Sequence, residues 1–250
     1  MSELPDPIPA ATLVVMRPGD GAPELLMVER AGTMAFAAGA LVFPGGRIDP
    51  GDHDAAAALL PCVEDGAARI AAIRETIEEA GIAIGLVPQP DPQTSARLRE
   101  ELDDGVPFLD LLRDARLSVD PSALTPFARW CPNFRETRRF DALFFLAEAP
   151  AGAIATADEG ESVRLLWASA EAILAEVDAG RAHVIFPTRR NLERLALFAS
   201  IDAARADAAR HLVRRITPWV EERDGEPHVC IPEGIGYPVT SEPLTTARRR

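Results

Sequence analysis

Lysine is absent from this chain: all 26 basic residues are arginine. That absence excludes a phosphate loop ending in Gly-Lys-Ser or Gly-Lys-Thr, a Schiff-base lysine and a kinase-type lysine. Cysteine is scarce, and Cys62, Cys131 and Cys230 lie far apart without forming a CxxC. Neither a disulfide framework nor a zinc knuckle is indicated, so reduced thiols are expected. His53, His183, His211 and His228 form no HxxxH or HExxH, and no GxSxG occurs, which removes the simplest serine-hydrolase reading. No apolar run approaches the ~20 residues of a membrane span. The opening Met-Ser-Glu-Leu-Pro-Asp is acidic and broken by proline, unlike a secretory signal. A cytoplasmic protein with no membrane partner is expected.

What is present suits a globular enzyme. With 250 residues, 47% of them hydrophobic, the chain has material for one domain of about 200 residues with embellishments. A formal charge of −13 and a sequence pI near 4.8 set the overall field against phosphate backbones, so no nucleic-acid partner is expected. Residues 12–17 and 24–30 are β-rich and separated by Pro18-Gly19-Asp20-Gly21-Ala22-Pro23, predicting two strands and a turn. A short strand at 40–43 runs into Pro44-Gly45-Gly46. From 65 to 80 the apolar period becomes helical, with Ile70, Ile73 and Ile77 on one side and Gly81 as the stop. The more polar stretch at about 88–126 reads as a helical insertion, with helix at 96–102 and 108–112. Strand character returns at 127–131, 140–147 and 163–167. Helices are predicted at 170–179, at 189–198 with Thr188 as N-cap, and around 203–214, before a loop-rich tail. Such alternation is α/β.

The chemistry concentrates in residues 70–82, Ile-Ala-Ala-Ile-Arg-Glu-Thr-Ile-Glu-Glu-Ala-Gly-Ile. On a helix advancing ~100° per residue, Glu75, Glu78 and Glu79 share one face, opposite the isoleucines. A plain solvated face is the alternative reading. Against it, Glu75 repels Glu79 at i,i+4 and Glu78 at i,i+3, each by roughly 0.3 kcal/mol, and the later pair sits near the negative helix end. A divalent cation relieves that repulsion, and hard oxygen ligands suit Mg²⁺ or Mn²⁺.

Arg74-Glu75-Thr76-Ile77-Glu78-Glu79-Ala80-Gly81-Ile82 resembles the second half of the Nudix box, R-E-U-x-E-E-x-G-U with U apolar. Gly46 to Asp52 is similar to its first half, G-x5-E, with aspartate in place of glutamate and Thr76 in place of an apolar residue. Between Asp52 and Arg74 lie 21 residues, some fourteen more than the pattern has. The excess, around residues 53–62, is expected to loop out, since lengthening a loop costs little. An interrupted box of this kind is similar to that of the coenzyme A diphosphatase branch. Residues 34–46, 138–145 and 186–193 share that branch's look.

The resemblance implies one Nudix-type α/β/α sandwich over 1–250, with a mixed sheet, the helical insertion and a C-terminal helical extension at about 188–250. It implies metal-dependent hydrolysis of a pyrophosphate bond in a small-molecule diphosphate, with coenzyme A or an acyl-coenzyme A as first candidate. ADP-ribose, a dinucleotide or a nucleotide sugar is the alternative. Glu78 and Glu79 become the principal metal ligands, with Glu75 and the main chain of Gly45 or Gly46 beside them. Arg74 orients the carboxylates. A later loop offers Glu159 or Glu161 as general base, with an ordinary surface loop as the rival reading. Arg135, Arg138 and Arg139 are candidates for gripping phosphates, or else for pairing with Glu136 and Asp141. Phe36, Trp130 and Phe134 are candidates for stacking on adenine, or else for packing in the core. A Nudix fold kept as a binding module without catalysis is the rival function, although Arg74, Glu75, Glu78 and Glu79 all remain. A homodimer is the expected assembly.

Overall fold

Two long strands begin the chain because their apolar residues face both ways. In β1 (Ile8–Arg17), Leu13 and Val15 point to one side and Val14 and Met16 to the other, all buried. β2 (Glu24–Arg30) returns antiparallel, Met16 opposite Leu25. The computed structural model describes residues 6–30, 37, 39–132, 139–157 and 162–247.

Short strands β3 (Leu41–Val42) and β4 (Gly45–Arg47) lead into two helices, α1 (Pro50–Leu59) and α2 (Gly66–Ala80). Then come β5 (Leu86–Val87), α3 (Pro92–Asp103), α4 (Phe108–Asp114), β6 (Ser118–Val119), β7 (Thr125–Trp130), β8 (Phe140–Glu148) and β9 (Ser162–Ser169). The chain continues through α5 (Ala170–Asp178), α6 (Phe186–Leu195), α7 (Ile201–Arg210), β10 (Arg215–Ile216), β11 (Trp219–Arg223), β12 (Glu226–Cys230), β13 (Ser241–Pro243) and α8 (Leu244–Ala247).

The main sheet runs β10-β7-β8-β1-β2-β3, with β4 also on β1 and β9 also on β2. It is mixed: β1 lies parallel to β8 and antiparallel to β2 and β4. On one face pack Ile70, Ile73 and Ile77 of α2 with side chains of α3 and α4. On the other pack α5, α6 and α7 through Ile173, Leu192, Leu195 and Ala204. Covering both faces explains why central strands read as continuous apolar runs. The architecture is the expected α/β/α sandwich.

Three local expectations differ. The excess within the box forms helix α1 instead of a loop, begun by Pro50 at its first position and by Asp52, whose Oδ2 accepts from the Asp49 N–H at 2.8 Å. Thr188 is not a cap; it lies buried inside α6, which starts at Phe186 after Ile185. The tail beyond α7 is not loop-rich, since β11, β12 and β13 form a separate antiparallel sheet.

A buried polar cluster ties that tail down. Tyr237 donates to Asn191 Oδ1 at 2.7 Å, and Trp130 Nε1 lies 3.2 Å from the same oxygen and 3.0 Å from the Tyr237 hydroxyl. Arg194 stacks on Phe127 and Tyr237 and donates to Asp207 and to the Phe127 carbonyl. Burial pushes the Tyr237 hydroxyl up to about 12, so it stays a donor. We expect Tyr237→Phe to lower unfolding free energy by roughly 1–2 kcal/mol and to speed amide exchange in residues 226–243. Urea titration and hydrogen exchange check this, and an unchanged midpoint would count against the cluster.

Candidate active site

Two glycines bring the sheet edge up to α2. A Cβ on Gly45 would run into the Ala11 carbonyl and lie 2.7 Å from Thr12 Cα. A Cβ on Gly46 would run into the Glu75 carboxylate. With only hydrogens there, the Gly45 N–H donates to Glu79 Oε2 at 2.9 Å. Helix α2 ends at Ala80, and Gly81 caps it with φ 69° and ψ 12°, donating its N–H to the Ile77 carbonyl. Thr76, where the family pattern is apolar, is fully buried and satisfies its hydroxyl on the Ala72 carbonyl at 2.7 Å.

Arg74 is the hub. Its Nε and Nη2 grip Asp52 Oδ1 and Oδ2 at 3.0 and 2.9 Å. Its Nη1 donates to Glu75 Oε1 at 2.9 Å and to Glu78 Oε2 at 2.8 Å, and its Nη2 also reaches the Arg47 carbonyl. Asp52 is 1% exposed, the deepest acid of the group. Sequence reasoning left its part undefined, and the structure makes it the clamp on Arg74. The G-x5-D spacing was the available signal. A carboxylate that needs only to reach a guanidinium through space tolerates the shorter side chain, because α1 carries it inward.

One cation against three acids leaves negative charge uncompensated. Burial pushes the Glu75 carboxyl up to about 7; Arg74 opposes the shift, and Glu78 and Asp52 add to it. Burial also raises Glu78, again with Arg74 opposing and Asp52 adding. Among the described residues no three acidic, histidine or cysteine side chains already converge as a finished metal site. The donor set nonetheless fits a hard divalent cation. Glu75 and Glu78 each give one oxygen to Arg74, and the second oxygens, with Glu79, lie on the same helical turn.

The structure therefore brings Arg74, Glu75, Glu78, Glu79 and Gly46 together. Arg139 is elsewhere, at the start of β8, its carbonyl accepting from the Ile8 N–H, with β1 between it and β4. Trp130 is a core residue, edge-on to Phe186 and Tyr237, and Asp141 pairs with Arg129 and Arg215. Phe36, Phe134, Arg135, Glu136, Arg138, Glu159 and Glu161 lie outside the described residues. No helix among the described residues is long and apolar enough to cross a membrane.

The raised Glu75 carboxyl makes a stability prediction. The folded protein keeps this proton up to about pH 7, whereas the unfolded chain releases it near the usual 4.5. The contribution is complete below pH 4.5 and is lost as pH rises through 7. In EDTA, we expect the denaturant midpoint to fall between about pH 5 and pH 8, and Glu75→Gln to reduce that fall by about 2 kcal/mol. Parallel pH profiles for the two proteins would contradict it.

No family model matches the chain. Its fold is similar to that of a Nudix hydrolase from Alicyclobacillus acidocaldarius, at 30% identity over 80% of this chain and 96% of that one, with a TM-score of 0.70. More distant are a MutT protein from Methanosarcina mazei Go1 (17% identity, 77% and 96% covered, TM-score 0.44) and the Nudix domain of Shewanella oneidensis NrtR complexed with ADP ribose (14%, 76% and 86%, 0.44). A sandwich whose glycine corner meets Arg74-Glu75 and Glu78-Glu79, and a relative that close along nearly its whole length, have one explanation: the chain belongs to the Nudix hydrolase family, enzymes that cleave pyrophosphate bonds in nucleoside-diphosphate derivatives.

Proposed function

We propose that the chain hydrolyses its diphosphate substrate with Mg²⁺ or Mn²⁺, and that coenzyme A or an acyl-coenzyme A is the substrate to test first. The carrying observation is the Arg74 hub, which gathers Asp52, Glu75 and Glu78 beside the glycine corner where Glu79 meets the Gly45 N–H. Glu78 and Glu79 are the cation's main ligands, with the main chain of Gly45 or Gly46 and with Glu75 alongside. When bound, the cation neutralises charge on the phosphate oxygens and lowers the pKa of water. The protein's own task is positional. Arg74 keeps Glu75 and Glu78 side by side despite their repulsion, and the missing Cβ of Gly46 lets Glu75 stand against the sheet edge. Glu75 is then placed to orient and deprotonate the attacking water, and substitution at phosphorus leaves two phosphorylated products.

Residues 186–193, which share the look of the coenzyme A branch, favour that substrate over ADP-ribose, a dinucleotide or a nucleotide sugar. The upstream run lacks the added arginine of one coenzyme A motif, so the substrate panel must include all four classes.

Glu78→Gln is expected to lower kcat by about 100-fold in the presence of either cation while the protein stays folded. The assay is product release from coenzyme A, ADP-ribose, NADH, diadenosine polyphosphates, a nucleotide sugar and nucleoside triphosphates. Wild-type turnover by the variant would remove Glu78 from the site.

A further inference from the structure

Arginines in this protein share a habit. Arg74 grips Asp52, Arg129 grips Asp141, Arg181 grips Glu176 and Arg194 grips Asp207, each through the edge formed by Nε and Nη2. That edge is the fork that matches two oxygens of a carboxylate or a phosphate. Arg30 does not pair in this way, and neither does Arg139, whose Nε also lacks a partner; of these two, Arg30 is the one beside a glutamate of α2. Arg30 ends β2, just past an irregularity in the pairing with β9, and its guanidinium lies beside Glu79 of α2. Its side chain is 18% exposed, and its Nη1 lies 3.9 Å from Glu79 Oε1, too far for a hydrogen bond. Its Nε is shielded from water and has no hydrogen-bond partner.

An arginine cannot shed its proton, and a shielded donor without an acceptor is costly. Here that donor belongs to Arg30, whose guanidinium forms an ion pair with Glu79 among the described residues. Arg74 is committed to Asp52, Glu75 and Glu78; Arg30 is not committed to any carboxylate at bonding distance among the described residues. A dianionic or trianionic diphosphate bound with one divalent ion beside Glu75, Glu78 and Glu79 leaves negative charge in excess, and the overall charge of −13 leaves few sources to balance it.

We propose that Arg30 is a substrate-binding residue, turning its Nε and Nη2 edge onto one phosphate of the diphosphate while the α2 carboxylates serve the other end of the bridge. This rests on the diphosphatase reading above and adds to it the residue that recognises the anion. Glu79 Oε1, close to Nη1, keeps the guanidinium at the site before substrate arrives.

Calorimetry on the full chain separates the possibilities, with methylenediphosphonate as an uncleavable diphosphate, Mg²⁺ present, and Mn²⁺ alone as a second titrant. Arg30→Gln should weaken the diphosphonate about tenfold or more and leave Mn²⁺ binding equal or tighter, because a positive charge beside Glu79 has gone. Arg30→Lys, with charge but no fork, should fall between. Equal diphosphonate affinity in all three proteins overturns the proposal, as does a parallel loss of Mn²⁺ and diphosphonate binding, which would mean that Arg30 only supports Glu79. If the wild-type protein binds neither titrant, the diphosphatase reading fails together with this inference.

Discussion

A guanidinium that is 11% exposed and touches three carboxylates is the constraint on which the site depends. Glu75 and Glu78 would repel each other on neighbouring turns, and burial disfavours the charge on each. Arg74 offsets both effects; burial by itself would lower its pKa, but the hydrogen bonds to Asp52 and the charges of Glu75, Asp52 and Glu78 outweigh burial and raise it further above the range in which it titrates. Taking away one member of such a group leaves the rest charged without a partner, which typically costs about 3–5 kcal/mol. Asp52 matters for this reason although it lies behind the other two: it fixes the far edge of the guanidinium, so that only Nη1 is turned toward Glu75 and Glu78.

The sheet serves that arrangement by bringing a main chain close to a side chain. Because β4 crosses β1 with no side chain at Gly45, the sheet edge comes within hydrogen-bond reach of Glu79. The isoleucine stripe on the opposite side of α2 is fully buried, so the helix cannot roll and its acids keep their direction. Packing on one side of the helix thereby fixes polar geometry on the other.

Much of this was legible in the sequence. The shared face of the three glutamates and the isoleucine stripe opposite follow from the helical period, which acts between neighbours in the chain, whereas the part of the glycine corner was implied by the resemblance to the Nudix box. What periodicity does not carry is contact across distance. Asp52 and Arg74 are 22 positions apart and meet only because α1 doubles back on α2. Arg30 gave no local signal at all, being one charged residue at the end of an apolar strand. The tail was misread because β11 to β13 are short, with exposed residues such as Trp219 and Val220, and β12 and β13 are each broken by proline. The buried Trp130, Asn191 and Tyr237 that anchor it lie on three separated segments.

The break between α1 and α2 separates two jobs that one continuous helix would have fused. Asp52 belongs to the first helix, whereas Arg74 and the glutamates belong to the second, and the join runs through Pro61, Cys62, Val63 and Glu64 at the surface. Since the two halves find each other through space, the length and make-up of that join are invisible to the reaction. It is a place in this enzyme where the chain can be lengthened, shortened or carry a graft without disturbing the chemistry, which lies about two helical turns away along each helix.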